Sequence, residues 1–463
     1  MHVSGGHLLD AGLDDGNTIV YRIPLLQIQK SEEVTIGFHA FIVFHFCGMI
    51  LQRSGLLVRS FSVLAIYPFP WYSKTNHSGG ILMNFTRNDL FCWCESQFPE
   101  HLDLLKTLAA IPAPSHREAQ RAFFIQNWLM QNGANSVTID EAKNVVLPLG
   151  MNGAPVLCVM AHTDVVFPDT TPLPLRVENN RLFAPGVGDD TANVVALMLC
   201  AKFFLTHPDL IPEPLLIVFN SCEEGLGNLK GVKQIMQDYE GKIHALVSFD
   251  CQSDCVISRA VGSQRWQVDV STCGGHSFSD FGKANAIAKL SELIIKLYQQ
   301  TVPEKENCTT TYNVGVISGG TSVNTIAQNA QMTYEYRSDD QQCLSIMDRQ
   351  FHQLLKEAQS SDADFSLANI GCRPCGGNVD PESHNALVQR CSDAIQMIYG
   401  CIPPLCAAST DANIPLSMGI PAATFGLYRG GGAHTREEYV DIDSLTPGLK
   451  IALYFFLSEI LDD

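Results

Sequence analysis

The chain divides by pattern into an α/β domain and a smaller α+β domain inserted into it. The larger domain is built on a mixed, mostly parallel sheet flanked by helices. Three observations predict this. First, short apolar runs alternate with helical periodicity, as in VLCVMAH (156–162), TANVVALMLCAKFFLTH (191–207), LLIVFN (215–220) and ALVSFD (245–250). Strands alternating with helices give a parallel-rich sheet covered on both faces. Second, from about residue 264 to 376 the style changes to two-residue alternation around two amphipathic helices. Their order is β-α-β-β-α-β, the ferredoxin-like arrangement. Third, the first style returns after 377, so the smaller domain interrupts the larger one.

The elements follow in order. PEHLDLLKTLAAIPAP reads as a helix with Leu102, Leu105, Leu108 and Ala109 on one face, ending before Pro112. Ser115 can cap the next helix, and Gly133 ends it. SVTID and NVVLPL are strands, and VLCVMAH is a buried strand ending at His162. Asp189 or Asp190 can cap the helix that follows GDD. LLIVFN is a buried strand leading into SCEEG, LKGVKQIMQDY a helix, and ALVSFD a strand ending at Asp250. In the inserted domain, RWQVDVSTCGG, TTYNVGVISGG, NAQMTYEYRS and DFSLANIGC are strands, with helices over NAIAKLSELIIKLYQQ and QCLSIMDRQFHQLLKEAQ. The returning segment holds the helix SHNALVQRCSDAIQMIYG, the strand PAATFGL, a glycine-rich loop to His434 and a closing helix. The resulting division is an N-terminal extension outside the catalytic fold (1–97), a first catalytic segment (98–263), the inserted domain (264–376) and a second catalytic segment (377–463).

Residues 1–82 do not share this style. Val34 to Leu51 carries no formal charge, and at 18 residues it reaches only the lower limit for a membrane span. Three readings stand: an appended strand-rich segment, a marginal membrane anchor, or an extension that is not part of the enzyme. The third is preferred, with Met83 as a point where an ordinary domain could start. A signal peptide fits poorly, because the apolar run follows Glu32 and Glu33.

Composition narrows the function. The 463 residues are 46% hydrophobic and 17% charged, a globular balance. Forty-eight acids against 30 Lys and Arg leave a net charge of −18. No basic excess exists to neutralise phosphates, so nucleic-acid binding is not expected. The 16 cysteines are spread along a long chain, which favours reduced thiols and a cytoplasmic location. Cys372 and Cys375 form a CRPC pair, a weak signal for redox chemistry or zinc, and a structural role is preferred. Cys222 reads as a small buried apolar residue.

The chemistry lies at the strand ends, where ligands of such sheets bind. His162 can ligate a metal, and Asp164, two residues on, can hold the other ring nitrogen. Asp189 and Asp190 are either helix caps or a carboxylate able to bridge two cations. Glu223 and Glu224 follow a fully apolar strand, where adjacent carboxylates are costly unless a cation or a raised pKa offsets them. With Asp250, the distant His434 and one carboxylate from each acidic pair, His162 completes a set of two imidazoles and three carboxylates. Such a set suits two zinc ions, with Mn or Co as substitutes. Glu223 then serves as general base, and later acid, toward a metal-bridging water.

These motifs, in this order over residues 98–463, resemble the M20 family of metallopeptidases, which includes glutamate carboxypeptidase, peptidase T, carnosinase-type dipeptidases and aminoacylase. The resemblance implies a zinc-exopeptidase-like catalytic domain and makes the inserted ferredoxin-like domain a lid that mediates homodimerisation. It implies His162, Asp189, Glu224, Asp250 and His434 as metal ligands with Asp189 bridging, Glu223 as the base and Asp164 behind His162. GGHSFSDFG resembles the lid motif, which makes His276 an oxyanion stabiliser. Asn324 and Arg337 match lid positions that contact substrate, the arginine suiting a carboxylate. Thr191 and Ala192 depart from the family, which often carries Lys soon after the bridging aspartate. The expected function is hydrolysis of an amide in short peptides, as an exopeptidase or dipeptidase. The alternative is a non-peptide amide such as an N-acyl amino acid. A binding protein on an inactive enzyme fold, and a co-catalytic aminopeptidase of a related family, are the remaining readings. All five ligand positions and the base argue against the first, and the inserted domain against the second.

Overall fold

The computed structural model describes residues 85–461 and, ahead of them, only the backbone of five short strands, the last at Ile81–Met83. Of the uncharged stretch Val34–Leu51 only the backbone of Ile42–Val43 is among the described residues. The chain divides after Asn84. Among the described residues no helix is long and apolar enough to cross a membrane.

The second unit opens earlier than the sequence pattern suggested. Helix α1 (Arg87–Ser96) is started by a reciprocal capping box between Thr86 and Asp89. It buries Leu90 and Cys94 in the main core. The boundary expected at residue 98 is thus corrected to Phe85, where the compact unit begins. RNDLFCWCES contains too few regularly spaced apolar residues to reveal this helix. In α2 (Phe98–Ala109) the buried face is His101, Leu104, Leu105, Leu108 and Ala109; Leu102, expected there, is only half-buried. Helix α3 spans Ala119–Gln131.

Strands β1 (Thr138–Ile139), β2 (Val145–Leu149) and β3 (Val156–His162) follow, then α4 (Asn193–Thr206), β4 (Leu215–Asn220), α5 (Lys230–Asp238), β5 (Ile243–Phe249) and β6 (Val256–Ala260). The chain then enters the smaller domain through β7 (Gly262–Thr272), α6 (Ala286–Gln299), β8 (Thr310–Gly319), β9 (Asn329–Ser338), α7 (Gln341–Ala358) and β10 (Ala363–Arg373). It returns with α8 (Pro381–Tyr399), β11 (Leu405–Ala408), the short α9 (Asn413–Ser417), β12 (Ala422–Phe425) and α10 (Leu445–Leu457).

The large sheet has the order β11-β6-β12-β5-β3-β4-β2-β1. Its centre is parallel: β3 pairs with β4 and β5, and β5 with β12. Strands β2 and β1 are antiparallel additions at one edge. Every residue of β3 and β4 is buried, which is why these strands read as unbroken apolar runs. Their alternate side chains feed two cores. Leu157, Val159 and Ala161 join the main core on the side of α4, whereas Cys158 and Met160 join Val232, Ile235 and Met236 of α5. The register sets Asn220 beside His162, and Asp250 immediately follows β5. The polar residues therefore gather at the carboxyl ends of the parallel strands.

The smaller sheet has the order β8-β9-β7-β10 with every pair antiparallel. Its helices are capped by the side chains of Asn285 and Asp340, each accepting from two backbone N–H groups. Val268, Val270, Met332, Tyr334 and Tyr336 alternate toward Leu290, Leu293 and Phe351 to form its own core.

Candidate metal centre

His162 ends β3 with its ring set between two aspartates. Its Nε2 lies 3.1 Å from Asp189 Oδ1. Its Nδ1 faces Asp164, 3.1 Å from the backbone oxygen and 3.5 Å from Oδ1. The Asp164 carboxylate is itself gripped. It accepts from Ser115 Oγ at 2.6 Å and from the backbone N–H groups of Glu223 and Glu224 at 3.0 Å each. One buried carboxylate thus ties the histidine strand to the corner that carries both glutamates. Ser115 does not cap α3 as expected. That helix starts at Ala119 without a side-chain cap, because the serine hydroxyl is spent on Asp164.

Asp189 stands between two histidines. Its Oδ1 faces His162, and its Oδ2 lies 3.0 Å from His434 Nε2. The loop presenting it is held from behind by Glu438, a buried residue absent from the sequence-based set. The Glu438 carboxylate accepts from the N–H groups of Gly186 (2.7 Å), Gly188 (2.9 Å) and Asp189 (2.7 Å). The Asp189–Asp190 peptide is cis. Asp190 turns away and accepts from the His162 backbone N–H at 2.9 Å and from Asn193 Nδ2 at 2.6 Å. Neither aspartate caps α4, whose N-cap position is Ala192 with no side-chain bond. Both carboxylates are already engaged around His162.

Glu224 Oε1 lies 3.2 Å from His434 Nε2. Cys222, with φ +57°, takes the left-handed turn that carries the chain from β4 into this corner. Three sets of potential ligand atoms lie within 4.8 Å of one another: His162, Asp189, Asp190 and Asp250; His162, Glu223 and Glu224; and Asp189, Glu224 and His434. Asp189 belongs to the first and the third. The five expected ligands are therefore brought together.

The electrostatics point to a cation. Burial pushes Asp250 up to about 6, with Asp189 and Glu224 adding to it. Burial also raises Glu223 and Glu224 above the usual carboxylate range. Asp190 and the buried Asp411 lie well above that range, again through burial first. Asp189 behaves oppositely: burial disfavours its charge, but hydrogen bonds from His162 and His434 outweigh that and lower it. His162 is held well above its ordinary value despite burial, by Asp190, Asp164 and Asp189. A cluster in which carboxylates share protons, or borrow charge from imidazoles, has the donor set and the excess negative charge that divalent ions neutralise. Mixed imidazole and carboxylate donors fit zinc and its neighbours.

Glu223 is buried beside this cluster, and its partner was not legible in the sequence. Arg373 Nη1 lies 2.8 Å from Glu223 Oε1, and Nη2 donates to the Glu223 backbone oxygen. Arg373 is the last residue of β10 and falls inside the CRPC stretch, between the two cysteines. Those cysteines are separately engaged: Cys372 Sγ accepts from Gln264 Nε2, and Cys375 Sγ donates to the Ser338 backbone oxygen. Asp411, in the stretch ASTDANIP, accepts from Asn220 Nδ2 at 2.7 Å.

The residues expected from the smaller domain are placed differently. His276 and Asn324 lie together on a ribbon that pairs Gly275–His276 with Thr325–Ile326. The Ser277 N–H donates to the Asn324 backbone oxygen at 3.0 Å. Both residues are exposed. Arg337 on β9 is bonded twice to Glu335, at 3.0 and 3.1 Å. Among the described residues, no hydrogen bond or ion pair joins these three to the metal cluster.

Against known proteins, residues 158–458, more than half of the chain, match the family model described as Peptidase family M20/M25/M40. A curated succinyl-diaminopimelate desuccinylase of Corynebacterium glutamicum is 24% identical over 371 residues, covering 77% of this chain and 95% of that protein. Among solved structures, the dipeptidase Dug1p of Saccharomyces cerevisiae superposes with a TM-score of 0.64 at 16% identity, covering 82% of this chain and 100% of that one. The YXEP protein of Bacillus subtilis, described as a dinuclear metal binding peptidase, gives 0.54 at 14% identity over 79% and 99%.

Proposed function

The chain belongs to the M20/M25/M40 peptidase family of metal-dependent hydrolases, and on that premise we propose that it cleaves the amide bond of short peptides carrying a free carboxylate. The observation that supports this most is Asp189, one carboxylate whose two oxygens face two histidines at 3.1 and 3.0 Å. In this reading His162, Asp189 and Asp250 hold one ion, and Asp189, Glu224 and His434 the other. Zinc is the preferred metal, with Mn or Co as substitutes. Two divalent ions bound there supply Lewis-acid polarisation of the scissile carbonyl and acidify water.

The residues of the chain do the rest. Asp164 orients the His162 ring by facing its Nδ1. Glu223 takes the proton of the attacking water on its carboxylate and returns it to the departing amine nitrogen. Burial has already raised its proton affinity, which suits a group that must both accept and release a proton near neutral pH. His276 donates to the developing oxyanion, and Asn324 and Arg337 bind the substrate's polar end. These lid residues act once the inserted domain approaches the cluster, from the same chain or from a second copy in a homodimer. The outer strand β8 leaves Val316 and Ile317 exposed, which supports pairing of two lids. The cysteines described are free thiols, which supports a reducing, cytoplasmic setting.

A second reading, deacylation of N-acyl amino acids, is favoured by the desuccinylase relative. It uses the same residues and differs only in what the lid recognises. A panel of dipeptides and N-acyl amino acids, assayed with Zn, Mn and Co, tests both. Release from N-acyl amino acids without dipeptide cleavage would replace the first reading by the second. No hydrolysis of any amide under any metal would refute both.

A further inference from the structure

The inserted domain meets the larger domain at the short loop that carries Glu223 and Glu224, as well as through Arg259, which donates to the Asn307 backbone oxygen at 2.8 Å and lies 3.2 Å from Asp339. Three residues of the inserted domain reach that loop. Arg373, at the end of β10, donates to the Glu223 carboxylate at 2.8 Å and to its backbone oxygen, and also to the Ser409 oxygen at 3.2 Å. Arg265, on β7, donates to the backbone oxygen of Gly225. The backbone N–H of Cys372 donates to Asn228 Oδ1 at 2.9 Å. The register explains why these meet: Arg265 pairs with Gly371, and Ser263 with Arg373. Both arginines therefore sit at the end of the small sheet where the chain passes between domains. Gly371 lets the Arg265 stem cross, since a Cβ there would lie 3.2 Å from Arg265 Cδ.

We propose that Arg373, supported by Arg265, is a positioning residue that couples the orientation of the inserted domain to the Glu223 carboxylate. Movement of that domain and placement of the base then become one event. A guanidinium presents its donors in a rigid fork, so it transmits displacement and rotation of β10 directly to the carboxylate. Arg373 is buried, with its side chain 4% exposed, and the Glu223 side chain is 7% exposed. Little water can substitute when the fork shifts. The proposal rests on the reading of Glu223 as base, and its test separates the two.

R373M, R373K, R265M and E223Q are made in the full chain. Each is assayed with whichever panel substrate the unaltered protein hydrolyses best, and bound metal is counted. Amide hydrogen exchange is followed in residues 223–228 and 215–220. R373M is expected to lower kcat about 100-fold at nearly constant KM and unchanged metal content. R373K, which keeps the charge and loses the fork, should recover only part of that. Exchange in 223–228 should quicken about tenfold or more in R373M and R265M, with 215–220 unaltered. Unchanged exchange in that loop, or full activity in R373K, would overturn the coupling. If R373M does not fold, R373K and R265M decide it by the same criteria. Retained turnover in E223Q would instead remove the base assignment and leave the exchange result to judge the coupling alone.

Discussion

In the larger domain His162 is buried and surrounded by carboxylates; in the smaller one His276 is exposed, its Nδ1 accepting only weakly from the Phe278 and Ser279 N–H groups at 3.3 and 3.4 Å. The proposed reaction uses both histidines. The contrast shows two ways of storing function. The strand-end cluster is preorganised, with most of its charged side chains held by a named partner. The ribbon is held by its own backbone and waits for a partner surface. Charges that are buried must be compensated within one conformation, whereas exposed ones can be completed by motion or by a second subunit.

The largest test of that contrast is on the preorganised side. E223Q should lower kcat by roughly 10²–10⁴-fold while two ions remain bound, measured by steady-state kinetics with metal analysis. Loss of metal would mean that Glu223 is a ligand and the cluster is drawn wrongly. Next is the ribbon. H276A should lower kcat about 10²–10³-fold, as loss of an oxyanion donor does, with metal content and thermal stability unmoved. Mixing inactive H276A and E223Q chains should restore partial activity if the ribbon serves a neighbouring subunit; no recovery confines it to its own chain. R337M should raise KM for a carboxylate-bearing substrate roughly tenfold or more and alter stability by less than about 1 kcal/mol. A stability loss well beyond that would make its bond to Glu335 structural.

The last test concerns a buried histidine whose ring has no hydrogen-bond partner among the described residues. His101 of α2 is fully buried and both ring nitrogens lack partners, and burial pushes it down from 6.5 to about 3. Its pKa is lower in the folded state, so the unfolded chain binds more protons between these values. Stability should therefore fall as pH drops below about 6.5, by up to about 1.4 kcal/mol per pH unit. H101L should flatten that part of the pH profile in chemical unfolding. An unchanged slope would show that the decline arises elsewhere, for example from carboxylates of the cluster.

The legible part of the molecule was the part where physics leaves few options. LLIVFN followed by SCEEG must be a buried strand running into costly charges, and the structure places Glu224 against His434. The β-α-β-β-α-β order was read from alternation that the lid core repeats residue by residue. Roles that depend on distant pairing were not legible. Arg373 reaches Glu223 across 150 positions, and Glu438 grips the Asp189 loop across 249. Neither leaves a local signature beyond a charge near apolar residues. Ser115 looked like a helix cap because serine before a helix usually is one; its hydroxyl is taken by a carboxylate 49 positions away. Helix α1 was hidden for the opposite reason, a sound capping box over a weak apolar stripe.

Glu438 has a consequence for how the protein is made. It and His434 belong to one short segment, whose strand Tyr439–Asp441 pairs with Arg181–Phe183. That segment supplies a histidine to the cluster and also braces the loop presenting Asp189, whose carboxylate faces both histidines. It is synthesised after the inserted domain and after the central strands β3, β4 and β5. A nascent chain that has folded those strands still lacks both the brace and the second imidazole, so a pair of ions could be held there only once this segment has been made.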